Sequence, residues 1–127
     1  MNDYEIHRKL SPLSSLDEKT SNILKIFIGS KKLEGRSENT LKQYYREIRL
    51  CLDFLQCPID EVTASGVKTY LTTMKMERNL QNSTLENMRQ YLNAVFSWAA
   101  NEELIQKNPI KKIAPIKCEY KVRPSFN

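Results

Sequence analysis

Glycine is scarce in this chain, with three in 127 residues. Short strands joined by tight turns need more, because left-handed turn conformations favour a residue without a Cβ. A many-turned β architecture is therefore excluded. Histidine is scarcer still: His7 is the only one and sits in a polar N-terminal stretch, which argues against paired-histidine metal and catalytic schemes. Cys51, Cys57 and Cys118 are odd in number and lack metal-ligand spacing. Neither a metal nor another cofactor is expected, and the cysteine usage fits a reducing cytoplasm. No apolar run reaches the roughly 18 residues of a membrane span, and no charged start leads into a secretory apolar segment. There is no glycine-rich phosphate loop and no grouping of Ser, His and Asp that suggests a nucleophile with its base. No intrinsic enzymatic activity is expected.

The length suits one domain with a real core. Hydrophobic residues make up 40% and charged residues 28%, ordinary for a soluble globular protein. Five prolines leave long stretches unbroken. The fold class expected is all-α, a small bundle of four to five helices.

The chain also repeats itself. Leu41, Tyr44, Ile48, Cys51, Leu52 and Leu55, shifted by 44 positions, become Leu85, Met88, Leu92, Val95, Phe96 and Ala99. Both sets follow the 3.6-residue period of a helix with one face turned to a core. Ser37 is positioned to cap the first of these helices, over about 38–56, with Pro58 forbidding its continuation. Ser83, with Glu86 at capping-box spacing, is expected to start the second, over about 84–101. An earlier helix is expected from near Ser15, where Ser15-Leu16-Asp17-Glu18 has capping-box form, with Leu16, Ile23, Leu24, Phe27 and Ile28 inward and a break at Gly35. Thr63 is the expected cap of a third helix that buries Val67, Tyr70, Leu71 and Met74, with Gly66 weakening its first turn. A short fifth element is expected at Glu103-Leu104-Ile105. Asn108-Pro109 then turns the chain so that Ile110 and Ile113 pack back. Residues 1–13 read as a flexible arm, 14–114 as the helical domain and 115–127 as a basic linker.

Net charge is +5, and its distribution is uneven. From Lys107 to Asn127 there are six cations (Lys107, Lys111, Lys112, Lys117, Lys121, Arg123) against Glu119, so this segment carries the whole excess. It is either a solubilising tail or a segment laid on a polyanion. On the second helix Lys42, Arg46, Arg49 and Asp53 share a stripe away from the core face. On the fourth helix the equivalent stripe holds Glu86, Gln90, Asn93 and Ser97, with Arg89 beside it. Cations bind phosphates, and Asn, Gln and Arg can also read base edges in a major groove. Any solvated helix shows polar residues opposite its core, so the pattern also fits a plain surface. Phe54 and Trp98 lie off the core stripes. If exposed, they would anchor a rival, a helical protein-interaction module with no nucleic-acid role.

The ordered series Ser37-Glu38-Asn39-Thr40-Leu41, Tyr44-Tyr45-Arg46, Leu52-Asp53-Phe54-Leu55, Ile59 to Thr63, Val67 to Leu71, Ser83-Thr84-Leu85, Tyr91 to Ala99, and Leu104-Ile105 before Asn108-Pro109 resembles a known family. It is similar to the N-terminal core-binding domain of tyrosine recombinases, the phage integrases, over about residues 15–117. The resemblance implies a SAM-like bundle that clamps duplex DNA together with a C-terminal catalytic domain, its second and fourth helices near the major groove. Carried over, it singles out Lys42, Arg46 and Arg49, and Arg89, Gln90 and Asn93. Thr40 and Thr84 stand at helix starts, where hydroxyl and backbone N–H groups can hold phosphates. Lys107, Lys111 and Lys112 open the linker that would cross the duplex. Gly66 departs from the family, which often has an acid there, and Gln81-Asn82 replace a simpler capped turn. The catalytic arginines, lysine, histidines and tyrosine are missing, and Tyr120 lies in the linker-like end. The chain is thus expected to be an excised fragment or truncated product that binds double-stranded DNA without cutting or joining it. Alone it is expected to be a monomer; in the full-length protein it would meet other recombinase protomers.

Overall fold

The computed structural model describes residues 17–117. Among these residues every regular element is helical: α1 (Glu18–Leu33), α2 (Glu38–Leu55), α3 (Ala64–Arg78) and α4 (Asn82–Asn101), with 3-10 turns at Ile59–Glu61 and Pro109–Lys112. The expected arm over 1–13, the expected helix start at Ser15 with inward Leu16, and the end of the linker from residue 118 lie outside the described residues.

Local chemistry sets the boundaries. Asp17 accepts from the Thr20 amide at 3.2 Å, Ser37 from the Thr40 amide at 3.2 Å, and Thr63 from the Gly66 amide at 3.0 Å. The cap of α1 is therefore Asp17 rather than the expected Ser15. Thr20 holds the Asp17 carboxyl below its ordinary value, and a carboxylate at the positive end of a helix is the stronger acceptor. At the other end of α1, Gly35 has φ 87. Its amide reaches Lys32 O and the Arg36 amide reaches Lys31 O, the paired bonds of a Schellman ending. Gln56 and Asn79, each at φ 54, close α2 and α3.

Two expected elements change. α4 starts at Asn82 behind Gln81, whose side chain caps nothing. Ser83 lies inside the first turn, and Glu86 bonds elsewhere, so the expected capping box does not form. The fifth element at 103–105 is a turn: Glu103 takes φ 61 and ends α4, and Ile105 is buried without being helical. The 3-10 turn at Pro109–Lys112 comes next, with Asn108 Oδ1 accepting from the Ile110 amide at 2.9 Å.

The core follows the repeat. Leu41, Ile48, Cys51 and Leu52 of α2 and Leu85, Met88, Leu92, Val95, Phe96 and Ala99 of α4 are buried, with Tyr44 and Leu55 half-buried. α1 adds Ile23, Leu24 and Phe27, α3 adds Val67, Tyr70 and Leu71, and Ile110 and Ile113 pack back as expected. Phe27 meets Tyr44 and Trp98 edge-on, with ring centres 5.2 and 5.3 Å apart, and Tyr44 meets Tyr91 at 5.4 Å. α1, α2 and α4 thus share one aromatic cluster. Gly66 allows a close approach: a Cβ there would stand 3.2 Å from Thr63 Oγ1 and 3.3 Å from a methyl of Leu55. Glycine at this position lets the α2 end sit against the α3 start.

One buried polar bond joins α1 to the turn after α2. Thr20 is fully buried, and its hydroxyl accepts from the Ile59 amide at 3.0 Å. Thr20→Val keeps the shape and strands that amide, which should cost about 1–3 kcal/mol. Thr20→Ser should recover most of the loss. Urea unfolding of the three chains checks this, and a Thr20→Val chain as stable as the parent would show that the bond contributes nothing.

Candidate nucleic-acid interface

The outward stripe of α2 is narrower than the spacing suggests. Arg46 is exposed and Lys42 half-buried, and neither forms an ion pair with a described residue. Arg49, expected beside them, is only 1% exposed. It stands about 100° around the helix from Ile48, and the buried arc is wide enough to include it. Its guanidinium lies 5.8 Å from the centre of the Tyr45 ring, and burial pushes its pKa down. Arg49 is thus not displayed with Lys42 and Arg46, because α2 packs against three other helices and keeps little free surface. Glu47, also buried, has its carboxyl pushed up by burial, with Arg46 and the Gln43 amide at 3.1 Å opposing the shift.

The polar stripe of α4 is mostly engaged within the chain. Glu86 accepts from Arg89 through Nε at 2.9 Å and Nη2 at 2.7 Å, from Gln90 Nε2 at 2.8 Å and from the Ile116 amide at 2.8 Å. The Arg89 bonds, followed by those of Gln90 and Ile116, hold its carboxyl down at about 2 against burial. Asn93 accepts from Asn108 Nδ2 at 2.8 Å. Asn82 accepts from Lys75 Nζ at 2.8 Å and donates to Lys117 O at 2.9 Å. These bonds pin residues 108–117 along α4. Arg89 and Asn93, expected to face a ligand, are bonded within the chain, Arg89 to Glu86 and Asn93 to Asn108 of the strap; Gln90 is exposed but tied to Glu86. Pro115 to Lys117, expected to open the free linker, belong to the strap.

The strap displays cations. Lys107, Lys111 and Lys112 are exposed and pair with no described acid, while Ile110 and Ile113 on the same short stretch are buried. At the helix starts, Thr84 is exposed on the first turn of α4, which no side chain caps. The Thr40 amide and hydroxyl are both engaged with Ser37. Of the rival's anchors, Trp98 packs on Phe27, and Phe54, 40% exposed, leans on Tyr70 at 5.3 Å. Sequence reasoning missed Asn82, Asn108 and the bridging role of Glu86. Only Asn108, beside Pro109, left a local signal. Among the described residues no group of three His, Cys, Asp or Glu could hold a metal, and no helix is long and apolar enough to cross a membrane.

A four-helix bundle of this kind has counterparts. Residues 23–106 match the profile of the phage integrase N-terminal SAM-like domain, and the chain belongs to that family. Among solved structures, the integrase from mycobacterium phage Brujita is similar, with a TM-score of 0.69 at 14% identity, over 84% of this chain and 36% of that one. At that identity the likeness is one of fold. The chain spans about a third of that integrase's length. No curated protein matches the sequence.

The Glu86 junction is sensitive to acid. Its carboxyl is held at about 2 in the fold against an ordinary 4.5. The junction's contribution is therefore complete above pH 4.5 and is lost as pH falls toward 2. The Ile116 amide resonance should hold its position in neutral solution and move toward random-coil values through that window. Glu86→Gln should show the displaced position already at pH 7. An Ile116 resonance indifferent to both changes would exclude the junction.

Proposed function

We propose that this chain grips one face of duplex DNA as the core-binding domain of an integrase-like tyrosine site-specific recombinase. The observation that carries this is the strap. Glu86, Asn82 and Asn93 hold it along α4 while Lys107, Lys111 and Lys112 stay exposed and unpaired with any described acid. Ordering a cationic segment before a ligand arrives lowers the entropy lost on binding. Membership of the integrase family supports DNA as that ligand.

On this proposal Lys111 and Lys112 meet phosphates from the strap, Lys107 from just before it, and Lys42 and Arg46 from α2. Thr84 and the uncapped amides of α4 add a helix-terminus phosphate contact. Thr40 contributes less, since Ser37 already holds its amide and hydroxyl. Gln90 is the side chain for a base edge. Arg89 and Asn93 serve bonds within the chain rather than the duplex. The catalytic step belongs to a domain beyond the matched residues, and other recombinase protomers are the partners of the assembled protein. The chain's place is the cytoplasm, where the DNA is.

Contacts of this kind give salt-dependent affinity. Five phosphate contacts imply a log–log slope of about −4 to −5 on duplex DNA. Lys111→Gln with Lys112→Gln should make the slope shallower by about 2, with the melting temperature unchanged because both side chains are exposed. Fluorescence anisotropy over a salt series reads both quantities. Affinity that ignores salt would remove the electrostatic basis of the proposal.

A further inference from the structure

Among the described residues, the buried side-chain nitrogens and oxygens without a hydrogen-bond partner are Nη1 and Nη2 of Arg49. The residue is 1% exposed, and the Tyr45 ring lies 5.8 Å from its Cζ. Asp53, four residues on, stands at a spacing that suits an Arg–Asp pair. It accepts instead from Gln56 Nε2 at 3.1 Å. A guanidinium does not deprotonate in a protein, so the charge stays. A buried charge whose terminal nitrogens have no hydrogen-bond partner is unfavourable, and the attraction of Tyr45 and Asp53 offsets only part of its burial. Methionine or leucine would fill the same place with no such penalty.

A guanidinium with both terminal nitrogens free has the geometry for one oxyanion held by two parallel bonds. We propose that Arg49 is a gated phosphate contact: when α2 meets DNA, the side chain leaves the Tyr45 ring and clamps one backbone phosphate through Nη1 and Nη2. This rests on the DNA-binding proposal above and adds a member to its contact set that the free domain keeps hidden. The exit breaks no protein hydrogen bond at either nitrogen and restores hydration. The hidden position keeps the Tyr45 contact and the buried hydrocarbon, the extended one regains hydration, and a ligand that meets only the extended position selects it. Phosphate is favoured over a protein carboxylate for two reasons. The carboxylate nearest in sequence, Asp53, attracts Arg49 but forms no hydrogen bond with it. Lys42 and Arg46 precede Arg49 on the same helix, so the three cations span about 10 Å of helix axis. That is about three base-pair rises along the duplex axis.

The test uses the whole chain and a short duplex. Arg49→Met removes the charge and keeps the hydrocarbon; Arg49→Lys keeps the charge and loses the paired geometry. Arg49→Met should melt no lower than the parent, bind about tenfold more weakly and show a salt slope shallower by about 1. Arg49→Lys should keep the parent slope at reduced affinity. Nitrogen-detected NMR of the parent, with Arg49 assigned from the lysine variant, should show its Nη signals shift when duplex is added. An unchanged slope in Arg49→Met overturns the proposal whatever the melting temperature. If that variant does not fold, the Nη signals decide, and signals unmoved by duplex overturn it. Signals that move only as protein concentration rises assign Arg49 to a carboxylate of a second copy, and this also overturns it. A parent chain that binds no duplex at any salt concentration would instead remove the DNA-binding proposal itself.

Discussion

The apolar seam between α2 and α4 is the constraint on which the other elements depend. Its residues come from two copies of one spacing pattern, and nearly all are buried. Each fully buried aliphatic or aromatic side chain contributes about 1.5–3 kcal/mol, so the seam outweighs any single polar contact in the domain. α1 and α3 each close one side of this pair. The aromatic cluster ties α1 to both central helices, and the close approach at Gly66 sets α3 against the end of α2. The polar surface that any partner meets is what these contacts leave over.

That remainder is divided between two tasks. On α4, Glu86, Asn82 and Asn93 face the strap, and their bonds to backbone and side-chain groups of residues 108–117 fix its course. The strap's own apolar residues, Ile110 and Ile113, enter the core. Polar bonds on one side and burial on the other hold a segment that its composition alone would leave as a linker. Its lysines are thereby carried on the body of the domain.

The bundle was legible because periodicity reports burial directly. The repeat over Leu41 to Leu55 and Leu85 to Ala99, the caps at Ser37 and Thr63, the break at Gly35 and the return of Ile110 all depend on local spacing. What was not legible depends on pairing at a distance. Ser83 and Glu86 have capping-box spacing, but Glu86 bonds to Arg89, Gln90 and the Ile116 amide, 30 residues away. Asn93 resembles a groove reader on a helical wheel, yet its partner is Asn108, 15 residues on. Arg49 shows a different limit. A wheel places it outside a narrow apolar stripe, but a helix enclosed by three neighbours buries a wider arc than the stripe defines.

These placements bear on what kind of recognition the domain can supply. Phosphate contacts set position and register; base contacts set sequence preference. Of the six helix side chains that the resemblance singled out, Asn93 is bonded to the strap, Arg89 is bonded to Glu86, and Arg49 is buried. Lys42 and Arg46 are cations suited to phosphates, and Gln90 is the amide still exposed. A single amide, itself bonded to Glu86, gives little discrimination between bases, for which a good bidentate pair supplies only about 1–3 kcal/mol. On the proposed function, this domain therefore holds and orients the duplex more than it reads it. Any strict sequence preference of the whole recombinase then has to arise from the deformability of the DNA or from contacts beyond these residues.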